Sequence, residues 1–287
     1  MNVVVTGSNS GFGRRIVETL AKAGHTVFAT MRDAGGRNAK AAQELKAFSA
    51  ANANRVHVVE LDVTGDASVA KAIESIAKQT NGAIDVLVNN AGRFSAGVQE
   101  AFTIEEIKGL FETNVFGPLR VNRAVLPHMR KRRSGLIVNT SSVVGRFALP
   151  TLGTYAASKY AVEALSEAQR DELKGLGIDV SIIEPGAFPT EVGNKGLYIS
   201  DTSRAGDYGD VASIPQKLGE GLDQLFSSPS APNPQDVADA VKKLIDTPAG
   251  QRPLRVVVDK LTGDPLRALN EVYPQHRQAL AAAFGMA

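Results

Sequence analysis

Seven short apolar runs alternate with amphipathic stretches along this chain, and that alternation restricts the fold more than any single motif. The runs fall at 3–5, 26–30, 56–61, 85–89, 136–140, 179–183 and 255–258. Between them lie stretches of helical periodicity at about 12–23, 39–51, 67–79, 104–130, 154–175 and 234–246. Strands joined by helices of this length form right-handed βαβ units, whose parallel sheet is covered on both faces. The expected architecture is α/β: a doubly wound, seven-stranded, mostly parallel sheet with helices on both faces. No repeat, low-complexity tract or linker divides the 287 residues, so a single domain is expected. Ligands on such sheets bind beyond the carboxyl ends of strands. Gly7, Asp62, Asn90, Ser142 and Gly186 all follow expected strand ends.

The first strand-to-helix turn reads Thr6-Gly7-Ser8-Asn9-Ser10-Gly11-Phe12-Gly13. It follows the β-branched run Val3 to Val5 and precedes a stretch whose apolar face is Ile16, Val17 and Leu20. Such a turn presents free backbone N–H groups at the positive end of a helix, which suits a pyrophosphate. Gly7, Gly11 and Gly13 permit the tight turn, the close approach of a ligand and close helix packing.

Tyr155 and Lys159 are spaced i, i+4 and share one helical face, with Ser142 thirteen residues upstream of Tyr155. A free phenol titrates near ~10, too high for efficient acid/base work at neutral pH. The Lys159 ammonium beside it is expected to lower that value. Ser142 is placed to hydrogen-bond the oxygen whose charge changes during reaction.

Taken together, Thr6 to Gly13, Asn89-Asn90-Ala91-Gly92, Asn114, Ser142 and Tyr155-x-x-x-Lys159 resemble the short-chain dehydrogenase/reductases over about residues 2–190. The resemblance implies a Rossmann-type domain in which Tyr155 is the general acid/base and Ser142 holds the substrate oxygen. It further implies that Lys159 binds the nicotinamide ribose and that Asn114, within Thr113-Asn114-Val115-Phe116-Gly117, maintains a water-linked proton path. Gly7, Ser10, Gly11, Phe12, Gly13, Asn90, Ala91 and Gly92 become dinucleotide-binding candidates. Asp62-Val63 resembles the pair that meets adenine, with a plain turn as the alternative for Asp62. Pro185-Gly186-Ala187-Phe188-Pro189-Thr190 resembles the segment that meets the nicotinamide carboxamide. Val27 to Asp33, Leu61 to Thr64 and Ile183 to Gly186 look most like the subgroup containing 17β-hydroxysteroid and retinol dehydrogenases.

Cofactor choice is read after the second strand, at Met31-Arg32-Asp33. NAD-preferring relatives carry an acidic residue where Met31 falls. Met31 cannot accept from a ribose 2′-OH, whereas Arg32 can grip a 2′-phosphate in fork geometry, so NADP (as NADPH) is expected. Asp33 leaves two alternatives open, since it can neutralise Arg32 or accept from the ribose itself. NAD preference and a non-enzymatic NADP-binding sensor are the alternatives to an NADP-dependent carbonyl reductase or alcohol dehydrogenase.

The segment at about 191–233, with six glycines and Pro215, Pro229 and Pro232, reads as a long connection and, by the resemblance, a substrate lid. Phe94, Val144, Phe147, Leu149, Leu152 and Phe188 are candidate walls of an apolar substrate pocket. Cysteine is absent and the four histidines share no ligand spacing, so no metal is expected. Lys plus Arg outnumber Asp plus Glu by 32 to 30, and the basic run Arg130 to Arg133 closes a helix, so no nucleic-acid partner is expected. No apolar run nears the ~20 residues of a membrane span, and the N-terminus enters a strand at once, so a cytoplasmic protein is expected. By the resemblance the chain is a homodimer through the helices at about 104–130 and 154–175, where Ala161, Val162, Ala164, Leu165 and Ala168 suit either core packing or a two-fold contact. A helical tail at about 263–284 is expected to cover the edge through which related chains form tetramers.

Overall fold

The computed structural model describes residues 1–191 and 196–286. Every apolar run becomes a strand of one sheet: β1 (Asn2–Val5), β2 (Thr26–Met31), β3 (Val56–Glu60), β4 (Val86–Asn89), β6 (Gly135–Thr140), β7 (Ile178–Pro185) and β9 (Arg255–Val258). Their order is β3-β2-β1-β4-β6-β7-β9 and each pairing is parallel. The chain winds outward from β1 to β3, returns across β1, and continues the other way from β4. That reversal leaves a crevice beyond the ends of β1 and β4, where a doubly wound sheet takes its ligands. Two further strands, β5 (Ser95–Ala96) and β8 (Leu197–Tyr198), pair with each other outside the main sheet.

Helices cover both faces: α1 (Gly11–Lys22), α2 (Ala39–Ala51), α3 (Asp66–Thr80), α4 (Ile104–Phe111), α5 (Gly117–Arg132), α6 (Gly153–Lys174), α7 (Thr202–Gly206), α8 (Ile214–Phe226), α9 (Gln235–Asp246) and α10 (Asp264–Ala283). The two faces of the sheet build two apolar cores. Ile16, Val17 and Leu20 of α1 meet Val237, Val241 and Leu244 of α9 over Val3, Val5 and Val27. Val69, Ile73 and Ile76 of α3 and Val121, Val125 and Met129 of α5 meet Val4, Phe28 and Leu87. Val3, Val4 and Val5 have 0% exposure and point alternately to the two cores, which is why this strand reads as an unbroken apolar run.

Two expectations change. The helix anticipated over 104–130 is interrupted, because residues Glu112–Phe116 form a π-helical turn between α4 and α5. The 191–233 connection holds β8, α7 and α8 within its described part, while residues 192–195 lie outside the described residues. Its glycines and prolines mask a helical stripe, Ile214, Leu218, Leu222, Leu225 and Phe226, all half-buried. Of the two roles open to Val162 it takes core packing, at 5% exposure. The basic run does close α5: Arg132 pairs with Asp85 and Arg133 donates to the Gly175 carbonyl. Among the described residues no helix is long and apolar enough to cross a membrane.

Candidate active site

The β1–α1 turn is locked to the end of β4 by polar contacts. Thr6 Oγ1 accepts from the backbone N–H groups of Asn90 and Ala91, both at 3.0 Å. Asn90 Nδ2 donates back to the carbonyls of Thr6 and Gly7 at 2.9 and 3.1 Å. Gly7 has φ +67°, and a Cβ there would lie 2.8 Å from Ala91 Cα. A Cβ on Gly13 would lie 2.2 Å from the Gly7 carbonyl oxygen, so α1 can approach the turn this closely only with glycine. No acidic residue occupies the first turn of α1, which keeps its N-terminal N–H groups suited to an anion.

The loop after β7 returns over the same place. Gly186 N donates to Val258 O at 3.1 Å, anchoring the Pro185-Gly186 turn to β9. Phe188 stacks edge-on against Phe12, with ring centroids 5.4 Å apart. Thr190 comes next to the start of α1, since a Cβ on Gly11 would lie 3.6 Å from Thr190 Cβ. These contacts gather Gly7, Gly11, Phe12, Gly13, Asn90, Ala91, Phe188 and Thr190 beyond the ends of β1, β4 and β7, with Ser10, Gly92, Pro185 and Gly186 adjoining them in the chain.

The far end of the crevice lies beyond β2 and β3. Asp33 engages Arg37 through Nε and the backbone N–H, which holds the Asp33 carboxyl below its ordinary range. Asp33 thus pairs with Arg37 rather than with Arg32, and among the described residues Arg32 forms no salt bridge with a carboxylate. Asp62 Oδ1 accepts from Thr64 N and Oγ1 at 2.9 and 2.8 Å, so it does shape a turn. Those bonds and the nearby charges of Arg32 and Arg37 keep its carboxyl low although burial opposes them. Val63 is buried in the α3–α5 core.

At the near end, the π-helical turn aims Asn114 inward at 1% exposure. Its Oδ1 accepts from Arg93 N at 2.8 Å, and its Nδ2 donates to Arg93 O and to Ser158 Oγ. Lys159, 5% exposed, donates through Nζ to the Thr140 carbonyl at 2.9 Å. A Cβ on Gly92 would lie 3.4 Å from Asn114 Oδ1 and 3.6 Å from Lys159 Nζ, so these three residues converge. Ser142 sits where β6 ends, its Oγ within 3.5 Å of the Pro185 carbonyl and bonded to Tyr155.

The electrostatics differ from the sequence expectation in one respect. Burial pushes the Tyr155 phenol up to about 12, with the Ser142 hydrogen bond pulling the other way. Lys159 does not dominate, because its ammonium turns to Thr140 and lies 5.8 Å from the Tyr155 ring centroid. Burial also pushes Lys159 down to about 8, against the charge of Glu163.

Beside Tyr155, an apolar cluster comprises Phe94, Ala96, Val144, Leu152 and Ala156, with Leu218 of α8 packed on it. Phe94 meets the Tyr155 ring at 5.1 Å. Phe147 and Leu149 lie outside this cluster at 39% and 53% exposure, and Phe188 belongs to the α1 core. Four partners escaped the sequence reading. Thr6 stood within the glycine motif and Ser158 within Tyr-x-x-x-Lys, Leu218 stood in a helical stripe, and the Thr140 carbonyl left no sequence signal.

The short chain dehydrogenase family model matches residues 1–196. The chain belongs to that family. Over 255 residues it is 36% identical to retinol dehydrogenase 8 of Homo sapiens, an alignment covering 85% of this chain and 78% of the relative. A short-chain dehydrogenase from Streptomyces avermitilis is similar across 100% of this chain and 98% of its own, at 34% identity and TM-score 0.78. Another, from Sphingobium yanoikuyae in complex with NADPH, is 25% identical with TM-score 0.74, covering 98% of this chain and 94% of that one. This short-chain dehydrogenase family member is thus an oxidoreductase-family protein with the family's seven-stranded parallel sheet.

Proposed function

We propose that the chain is an NADP-dependent carbonyl reductase or alcohol dehydrogenase acting on an apolar ketone or secondary alcohol. The observation that carries this reading is the convergence of Ser142, Tyr155, Lys159 and Asn114 at one end of a crevice whose other end holds Arg32, which forms no salt bridge with a carboxylate among the described residues. The glycine turn, with α1 opening onto it, fits a pyrophosphate, and Arg32 fits a 2′-phosphate. Gly7, Ser10, Gly11, Phe12 and Gly13 would hold the phosphates, and Asp62 and Val63 the adenine end. Asn90, Ala91, Gly92, Lys159 and Tyr155 would hold the nicotinamide ribose, and Pro185, Gly186, Phe188 and Thr190 the ring. Bound NADPH supplies the hydride.

The protein's own residues supply orientation and the proton. A phenol pushed up to about 12 is fully protonated at neutral pH, the state required to donate to a carbonyl oxygen as it gains charge. Ser142 donates a second hydrogen bond to that oxygen and so stabilises the developing alkoxide. Asn114, fixed by Arg93 and Ser158, holds the interior end of a path that re-protonates Tyr155 by way of Lys159. Phe94, Val144, Leu152 and Leu218 exclude water and favour an apolar substrate, in keeping with the name of the relative retinol dehydrogenase 8.

The domain acts as one unit, with α7 and α8 as its substrate lid. It assembles as a homodimer through α4 to α6, where Ile104, Phe116, Tyr160 and Leu165 are 40–66% exposed beside outward-facing Ala164 and Ala168. The cytoplasm is the compartment this reading assumes. NADPH and NADH consumption with a panel of aromatic, steroid and aliphatic carbonyls tests the function. Turnover with NADPH on an apolar ketone is expected. Turnover with NADH alone would overturn the cofactor assignment, and none with either would favour a sensor.

A further inference from the structure

One helical turn past Lys159, α6 buries a second charged side chain, Glu163, at 3% exposure. Its Oε2 accepts from Nε of Arg255 on β9 at 2.9 Å, and Arg255 Nη2 donates to Glu167 at 2.8 Å. A third carboxylate, Glu184 of β7, has 0% exposure, and its Oε1 lies 3.9 Å from the same Arg255 Nε. Arg277 of α10 adds a second cation for Glu167. Arg255 is therefore left between Glu163 and Glu184.

Each of these two carboxylates is satisfied on one oxygen only. Glu184 Oε2 accepts from Asn270 Nδ2 of α10 at 2.7 Å. Glu163 Oε1 and Glu184 Oε1 are both buried with no hydrogen-bond donor, as is the hydroxyl of Ser141. Ser141 borders Glu163, since a Cβ on Gly145 would lie 2.4 Å from Ser141 Oγ and 3.3 Å from Glu163 Cγ. The other charges facing the pair are Lys159 and Glu167 on α6 and Arg146 in the loop after β6. Arg146 donates to Asn270 Oδ1 and, like Arg255, lies over the Tyr273 ring. Two buried like charges flanking one guanidinium do not both ionise readily. One proton relieves the repulsion between the two carboxylates and gives an orphaned oxygen its missing donor.

We propose that Glu163 and Glu184 hold one proton between them, and that this pair, fastened to α10 through Asn270, sets the charge behind Lys159. Glu163 and Glu184 are positioning residues acting through Lys159, and their effect on rate rests on the oxidoreductase reading above. The electrostatic environment agrees with the geometry. Burial, reinforced by Glu163, pushes the Glu184 carboxyl up to about 8, while Asn270, Arg255 and Arg146 pull it down. Lys159, held down at about 8 by burial, is supported in its charged form by Glu163. Below that range the pair presents one negative charge, and above it two.

Infrared difference spectra of the cofactor-free protein, taken as pH rises through about 8, read the carboxylic-acid carbonyl band without any substrate. The wild type should show a protonated carboxyl that disappears over that range, and Glu184→Gln should abolish it. Glu163→Gln removes the like charge and should move the loss to lower pH. Asn270→Ala, at a half-buried site, removes a donor to the anion and should move it to higher pH. No such band in the wild type, or an unchanged band in Glu184→Gln, overturns the shared proton. With an active substrate, Glu163→Gln should lower the alkaline limit of the kcat/KM profile by about one pH unit with KM little changed. An unmoved profile overturns the link to Lys159, while the infrared result stands apart from whether the oxidoreductase reading holds.

Discussion

The crevice beyond β1 and β4 and the apolar wall beside Tyr155 are neighbours built on opposite terms. In the crevice, strand end meets strand end: Thr6-Gly7 and Asn90-Ala91 exchange four hydrogen bonds, and a Cβ on Gly13 would strike the Gly7 carbonyl at 2.2 Å. The wall is made by side chains of residues distant in sequence, and Leu218, which closes it, is only half-buried on α8. A ligand of fixed shape is suited to the first kind of site. A substrate that must enter and leave is suited to the second, where contacts are few and local opening costs little.

The largest expected effect breaks the rigid side. Gly13→Ala should lower stability by about 3 kcal/mol, the upper range for overpacking, because a backbone oxygen cannot move aside as a side chain can. Urea unfolding with an unchanged slope measures it. A loss below ~1 kcal/mol would show that the crevice yields like the wall.

Lys159 lies where the two regions meet, and it should report strain held for function. Its ammonium is depressed from 10.5 to about 8. The stabilising contribution of a depressed lysine is complete above about 10.5 and is lost as pH falls through about 8. At neutral pH the buried charge therefore destabilises the fold, on the order of 3 kcal/mol. Allowing ~1 kcal/mol for the lost bond to Thr140, Lys159→Met should gain about 2 kcal/mol at neutral pH while losing activity. Melting curves across pH should show the gain shrinking as pH rises. A loss at every pH contradicts the assignment.

How much of this was legible follows the same division. All seven main strands could be read because a parallel sheet covered on both faces demands continuous apolar runs, as Val3 to Val5 show. The crevice could be read because close backbone approach admits only glycine, and glycine is visible in a sequence. α8 was hidden, since Gly219, Gly221 and Pro215 argued for a connection while the stripe from Ile214 to Phe226 is only half-buried. The π-helical turn that aims Asn114 left no periodic signal. Arg255 and Glu163 are 92 residues apart, and nothing local in either element announces the pair. The direction of the Tyr155 shift was misjudged because spacing shows a lysine on the same face but not that its ammonium is taken by Thr140.

Smaller effects sharpen the contrast. Arg32→Ala should weaken NADPH about tenfold, the scale of one charge-assisted contact, with NADH affinity within about twofold. Calorimetric titration of both cofactors checks this, and equal losses would remove Arg32 from 2′-phosphate recognition. Leu218→Ala should cost less than ~1 kcal/mol of stability, as expected at a half-exposed site, yet raise KM for apolar ketones. A stability loss like that of Gly13→Ala would mean that α8 is core rather than lid.

The central claim is that Tyr155 delivers the proton at a site otherwise assembled to bind, and Tyr155→Phe isolates it. The substitution removes one hydroxyl from a half-buried ring still packed on Phe94. NADPH affinity by titration and kcat on the best ketone should be measured on the same preparation. Affinity should stay within a few-fold of wild type, and kcat should fall by at least ~10²-fold. Near-normal turnover with intact binding would contradict the claim.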